Sequence, residues 1–224
     1  MAKIVRRSSP DAKAELTDSE GVTGPMAIPT YDVDMVTRLI RQRRSVFPQQ
    51  FSGEPVSRED VALLLENAHW APSHGRTEPW LFKVFSGASL ERLGKAHAEM
   101  YKTHKAPEDF QERKYEKLIR RPTECAHVIA LCMKRGDNPK IPEVEEIEAV
   151  AMAVQNLWLT ANAMGLAGYW SSGGMTYHQS MHDFMELGPD DKFLGFFMLG
   201  RPKDEWPRGK RRVNWQEKVE WIEE

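Results

Sequence analysis

"PEVEEIEAVAMAVQNLWLTANAM", residues 142–164, is the strongest helical stretch of the chain, and its apolar positions decide the architecture. Ile147, Val150, Ala151, Val154, Leu157, Trp158 and Ala161 recur at helical spacing and form a wide apolar stripe. A stripe that wide belongs to a central, mostly buried helix. Directly after it, "GLAGYWSSGG", residues 165–174, brings a short strand and a glycine-rich turn, and "KFLGFFMLG", residues 192–200, a further strand. Upstream, "PWLFKVFSG" from Pro79 and "HVIALCMK" from His127 read as strands apolar enough to sit in a covered sheet. Helices and strands alternate irregularly around one unusually apolar helix, which favours a mixed α+β layer fold over a doubly wound parallel sheet.

Working outward, "DVDMVTRLIRQRRS" places Val33, Val36, Leu39 and Ile40 on one helical face and leaves Arg41, Arg43 and Arg44 at its end, where cations suit the helix dipole. "PVSREDVALLLENAHW" offers Ser57 and Asp60 as a capping box before a second amphipathic helix, which Pro72 stops. Residues 88–121 are heavily charged, with apolar positions at irregular helical intervals, and read as a mobile helical excursion. "YHQSMHDFMELG" predicts a short helix with Gly188 at its C-cap position, and "PRGKRRVNWQEKVEWIEE" a basic loop followed by an amphipathic segment. Residues 1–30 form a polar extension with little to bury, and residues 31–224 the folded domain.

Composition narrows the function classes. Thirty-one Lys plus Arg against thirty-three Asp plus Glu leave a formal charge of -2, so no global field recruits nucleic acid or an anionic membrane. Any anion must be met by local clusters. The two cysteines, Cys125 and Cys132, form no C-x-x-C and read as buried thiols in a reducing compartment. Neither a secretory signal nor an apolar run long enough to span a membrane is visible, so a cytoplasmic protein is expected. His178 and His182 stand four apart, yet no third ligand is signalled and no metal is expected. The chain lacks G-x-S-x-G, Walker A and G-x-G-x-x-G motifs, so a hydrolase triad and a Rossmann site have no support.

Four constellations are left to carry chemistry. Arg43, Arg44 and Ser45 put two guanidiniums and a hydroxyl together, as a phosphate grip does and as an ordinary solvated helix end does. Far along the chain, Lys210, Arg211 and Arg212 follow the stiff "WPRG"; here the rivals are a solvated tail and a nucleic-acid patch. In "APSHGRTEPW", Pro72 and Pro79 fix the backbone, so Ser73, His74 and Arg76 are presented on a stiff loop that serves a ligand or merely joins helix to strand. Lastly, the small residues of "WSSGG", Trp170 to Gly174, expose backbone N–H groups to a planar or anionic ligand, or make a tight turn.

In their order along the chain, "RRS", "APSHGRTEPW", "AVQNLWLTANAMGL", "GYWSSG", "GFFMLGRP" and the terminal basic loop resemble the flavin-dependent nitroreductase family over about residues 33–222. The resemblance is closest to a compact NAD(P)H nitroreductase-like branch. It implies an α+β fold with a central, mostly antiparallel sheet flanked by helices, shared across a homodimer with FMN at the interface. On that model Arg43, Arg44 and Ser45 hold the FMN phosphate, ribityl chain or pyrimidine edge, and Arg211 and Arg212 neutralise the phosphate from the same subunit. Pro72, Ser73, His74 and Arg76 come across from the partner, and Trp170, Ser171 and Ser172 lie along the isoalloxazine. The implied activity is ping-pong reduction of nitroaromatics, quinones or similar small electron acceptors by NADH or NADPH through flavin N5, with no catalytic side chain. Family members commonly carry Asn and Gln where Arg76 and Glu78 stand, so this loop is charged where theirs is neutral. "TEPW" also resembles a reductive dehalogenase branch, in which Tyr101, Lys102, Tyr115 and Lys117 would supply a charged lid. A flavin-binding protein without turnover and a helical interaction protein are the readings from other classes.

Overall fold

The computed structural model describes residues 28–223. The polar extension, in its part up to residue 27, lies outside the described residues. The chain divides into a unit ending at Val33 and a second unit, Asp34–Glu224, which carries everything below.

A four-stranded sheet organises that second unit. Its strands are β1 (Trp80–Ser86), β2 (His127–Met133), β3 (Ala167–Ser171) and β4 (Lys192–Gly200), ordered β1-β2-β4-β3 with every neighbouring pair antiparallel. β2 is buried along nearly its whole length, which is why its sequence is a continuous apolar run rather than an alternating one. One face packs on α5 (Glu143–Ala163) and α2 (Arg58–His69), the other on α3 (Ala88–His104), α4 (Glu112–Thr123) and α6 (Gln179–Phe184). Val150, Ala153, Val154, Leu157 and Ala161 of α5 are essentially inaccessible to solvent, so the central helix is where its apolar stripe places it. Ser57 caps α2 by accepting from the backbone N–H of Asp60 at 3.0 Å, with the reciprocal side-chain contact in place.

Residues 88–121 are helical, as their spacing suggests, and they are packed on the sheet rather than set apart from it. They form an ordered hairpin of α3 and α4 joined by a 3₁₀ turn at Pro107–Asp109. Its pivot is Tyr101, 1% exposed, whose hydroxyl donates to the Asp109 carbonyl and accepts from the Gln111 N–H at 3.1 Å. Phe110 stacks on that ring at 5.5 Å. Phe110 in turn meets Tyr115 at 6.0 Å, so three aromatic residues spread over a charged sequence converge there, a contact that periodicity does not reveal.

α1 (Val33–Gln42) buries none of its residues, and the tail past Pro207 is exposed, with only a 3₁₀ turn at Trp215–Lys218 in place of the amphipathic segment. Both cysteines are buried free thiols, and burial pushes each up to about 12.

Candidate functional site

β3 is an edge strand, and its open side is where the sequence motifs gather. The segment after α1 runs along that edge: Val46 donates its N–H to the Gly168 carbonyl at 3.0 Å, and Ser45 makes an isolated parallel bridge with Gly168. Just before it, the Arg43 guanidinium lies 4.3 Å over the Trp158 ring of α5, and the Trp158 indole N–H donates to the Arg44 carbonyl at 3.2 Å.

The distant basic loop arrives at the same place. Arg44 Nε donates to the Pro207 carbonyl at 2.9 Å, and a Cβ on Gly209 would stand 2.2 Å from the Arg44 guanidinium carbon, so any larger residue there would push the Arg44 side chain aside. Burial, then the charges of Arg211 and Arg44, lowers the Arg43 pKa. Arg43 Nη1 is buried and has no hydrogen-bond partner. A buried guanidinium N–H without an acceptor, set among other cations, is left with the hydrogen-bonding capacity and the charge that an anion would satisfy. Arg212 is exposed at the end of the same loop.

On the other side of β3, a cavity of about 960 Å³ opens between the sheet and the α3–α4 hairpin. Ser171, Gly173 and Gly174 line its wall, with Leu118, Phe196 and Met198 supplying apolar surface. Gly174 is held by a close approach: its backbone has φ 72°, and a Cβ would lie 2.3 Å from His97 Nε2. His97 is buried, accepts from the Met175 N–H at 2.9 Å, and is pushed down to about 4 by burial and by Lys114, so it is a neutral support of the turn. Arg121 also lines this cavity. Its guanidinium lies 5.0 Å over Tyr169, which in turn contacts Phe47 at 4.6 Å, and its Nε is buried without a partner.

Sequence reasoning missed Arg121. It sits in α4 among ordinary-looking charges, and only its place beside Pro122 at the end of the helix, just before a strand, could have singled it out.

Ser171 therefore stands at the cavity, buried, while Ser172 is exposed and outside the lining, and Trp170 alternates to the other face. Its indole donates to the Leu194 carbonyl at 3.0 Å and packs in the α5-side core, so the side chain braces β4.

Pro72, Ser73, His74 and Arg76 are not brought to the arginine cluster of their own chain. Their loop is tied to the N-terminal end of α5, where His74 Nδ1 meets Glu145 Oε2 at 2.5 Å. From Glu145 to Trp158 is about 20 Å along the helix. The loop is pinned by its own contacts: Arg76 (φ 55°) and Glu78 (φ 44°) adopt left-handed backbone, Ser73 Oγ accepts from the Glu78 N–H at 3.1 Å, and Glu78 faces His69 at 3.8 Å.

The other histidines are structural. His178 accepts from the Ser180 N–H at 3.2 Å and its ring lies 4.2 Å from His104, while His182 meets the Asp191 carbonyl. Among the described residues no group of His, Cys, Asp or Glu is arranged to hold a metal, and no helix is long and apolar enough to cross a membrane.

The α+β fold is thus built on an antiparallel sheet whose edge strand carries an arginine cluster with a buried, unpartnered N–H at one end and a glycine-walled cavity at the other. The nitroreductase family model matches residues 40–201, and the chain belongs to the nitroreductase family. A 5,6-dimethylbenzimidazole synthase from Rhodospirillum rubrum is 30% identical over 87% of this chain and 94% of its own length. Among solved structures, a nitroreductase-like family protein from Bacillus cereus has a TM-score of 0.72 at 28% identity, covering 88% of this chain and all of that one. A Desulfovibrio desulfuricans structure described as a nitroreductase in complex with FMN has a TM-score of 0.61 at 25% identity, over 87% of this chain and all of its own.

Proposed function

We propose that the protein is an NAD(P)H-dependent FMN oxidoreductase that reduces nitroaromatic, quinone or similar electron-poor acceptors as a homodimer. The observation that carries this is the convergence of Arg43, Arg44 and the 207–211 loop around a buried guanidinium N–H that lacks an acceptor. A phosphate monoester supplies that acceptor and the negative charge. Along β3, from Gly168 to Ser171, is about 10 Å at the rise of a strand, a span that a ribityl chain covers between a phosphate and a ring.

The chemistry FMN supplies when bound is two-electron transfer from NADH or NADPH to the acceptor. This chain's residues bind, orient and exclude water. Arg43, Arg44 and Arg211 hold the phosphate, with Arg212 adding charge, and Ser45 lies beside the chain that joins phosphate to ring. Ser171, Ser172 and the following glycines would flank the ring, and Arg121, whose buried Nε lacks a partner, would favour negative charge on it. Trp170 serves as packing behind them.

Pro72, Ser73, His74 and Arg76 then cover the ring of the neighbouring subunit, because within one protomer their loop stands too far from the arginines. Support for a dimer comes from apolar side chains left on the surface: Ile40, Leu63, Trp70 and Met152, exposed around a shallow groove bordered by Leu39, Trp70 and Leu159. The protein as purified is expected to be yellow, to bleach on adding NAD(P)H and to recolour with a nitroaromatic. A coloured protein that NAD(P)H leaves unbleached is instead a flavin carrier, and a colourless one that binds no added FMN refutes the proposal.

A second reading follows from the Rhodospirillum rubrum relative: synthesis of 5,6-dimethylbenzimidazole. Chromatography of a turnover mixture for that base separates the two. Dehalogenation is disfavoured, because Tyr101, which would belong to a moving lid, is buried as the pivot of the α3–α4 hairpin.

A further inference from the structure

The cavity beside Ser171 is not neutral. One side is apolar, from Leu93, Val128, Phe196 and Met198, and the other is α4, which adds Leu118 and its charged flank. That flank contributes Arg113, Lys114, Lys117, Arg120 and Arg121 to the lining and a single acid, Glu116. Positions 113, 117 and 121 recur at helical spacing, with 114 at the edge of the same face.

The cations are not equivalent. Arg120 is held by Glu124 at 3.3 Å, the Lys114 ammonium lies over the Tyr101 ring at 4.7 Å, and Arg121 is turned inward over Tyr169. Arg113 and Lys117, one turn apart and both exposed, have no acidic side chain within ion-pair distance among the described residues. The phosphate of a flavin does not explain them, because the Arg43, Arg44 and Arg211 cluster meets it beyond the edge of β3, outside this cavity's lining. In a protein of net charge -2, a lining this cationic is a local feature with a local purpose.

We propose that Arg113 and Lys117 recognise a carboxylate or phosphate on the aromatic molecule that occupies this cavity, making the enzyme selective for anionic ligands at its redox face. Two sources share that chemistry, an acceptor with a carboxylate and the reductant dinucleotide with its phosphates. The cavity, at the upper end of small-molecule sites, is large enough to hold a second planar ring beside the flavin ring that Ser171 and the glycines flank, with its anion turned to α4. The inference rests on the proposed site, yet its test needs no turnover.

Benzoate and benzamide have nearly the same shape and differ in charge. Calorimetric titration of the purified protein is expected to give a dissociation constant about tenfold lower for benzoate, an advantage that shrinks as salt is raised. In the double variant Arg113→Gln, Lys117→Gln the advantage disappears while benzamide binds as before. NADP⁺, titrated in parallel, identifies the source: weakened binding in the variant adds the dinucleotide as a ligand of these two cations. Equal binding of benzoate and benzamide, with NADP⁺ unaffected by the substitutions, overturns the inference, and so does failure of all three to bind. Both side chains are exposed, and unchanged melting of the single variants separates lost recognition from lost folding. Protein colour and bleaching, read independently, report on the flavin assignment alone.

Discussion

Arg43 carries opposed costs that make its role testable. Its guanidinium loses hydration on burial and faces the charges of Arg211 and Arg44, while the stack on Trp158 and a bound anion favour it. Replacing it with Met keeps the contact with the indole and removes the uncompensated charge. Arg43→Met is therefore expected to weaken FMN binding roughly 30-fold, about 2 kcal/mol for a lost charge-assisted pair, without lowering the melting temperature of the flavin-free protein. Fluorescence titration with FMN and calorimetric melting check the two halves, and a large loss of apo stability would make Arg43 structural. His97 gives a second prediction. Its imidazole is held near 4 against an ordinary 6.5, so between those values the unfolded chain takes up a proton that the folded chain refuses. The stability it contributes is full above about pH 6.5 and is lost as pH falls toward about 4, on the order of 3 kcal/mol in all. His97→Gln, whose amide oxygen can still accept from the Met175 N–H, should flatten that part of the melting-temperature profile. Residue types and their order made the two arginine segments legible, because a cation is visible wherever the fold puts it. Which arginine N–H groups lack a partner, and that Arg76 and Glu78 take left-handed backbone, depend on neighbours far away in sequence.

Among the elements, α5 was the most legible, since its burial follows from its own stripe. The fastening of its N-terminal end was not. Glu146 is 1% exposed and accepts from Arg135 Nη1 and from the Gly136 N–H at 3.1 Å, while Arg135 Nη2 donates to the Ile141 carbonyl at 2.5 Å. This clip fixes the chain between β2 and α5, beside the loop that His74 ties to Glu145. Removing one partner of a buried ion pair leaves the other charge uncompensated, so Glu146→Ala should cost about 3 kcal/mol in urea unfolding, whereas Arg135→Met with Glu146→Leu should restore much of it. The α3–α4 hairpin is the contrary case: its charged sequence and irregular spacing concealed a packed element because its core is a cluster of three rings rather than a stripe. Strand β3 was legible as a strand, but not which of its side chains faces which layer. Period-two alternation sets Ser171 against the cavity and turns Trp170 into the core, and a glycine-rich flank hides that register from sequence alone.

For the whole molecule, the argument turns on surface that a single chain leaves uncovered. Val213, Trp215, Val219, Trp221 and Ile222 line an exposed tail, and α1 presents Met35, Val36 and Ile40 to solvent. Isolated apolar side chains on a surface are ordinary, but an arm carrying two exposed tryptophans and three aliphatic residues is not, and its packing against a second copy would bury them. A stable interface of standard size removes about 1,600 Å² from water, within reach of the α1, α2 and α5 surface together with this arm. Nothing in composition distinguishes such a tail from a solvated one, which is why the sequence left it as an amphipathic segment without a role. If the arm belongs to a dimer that completes each flavin site, truncation after Arg212 should keep Arg211 and Arg212 in place yet shift the protein toward monomer. It should also lower FMN affinity, because the partner's Pro72–Arg76 loop leaves with the partner. Light scattering across a concentration series, with FMN titration on the same samples, reads both effects. Monomers that still hold FMN as tightly as the full chain would mean that one protomer forms the whole flavin site, and the loop would then have to be reassigned as a brace for the start of α5.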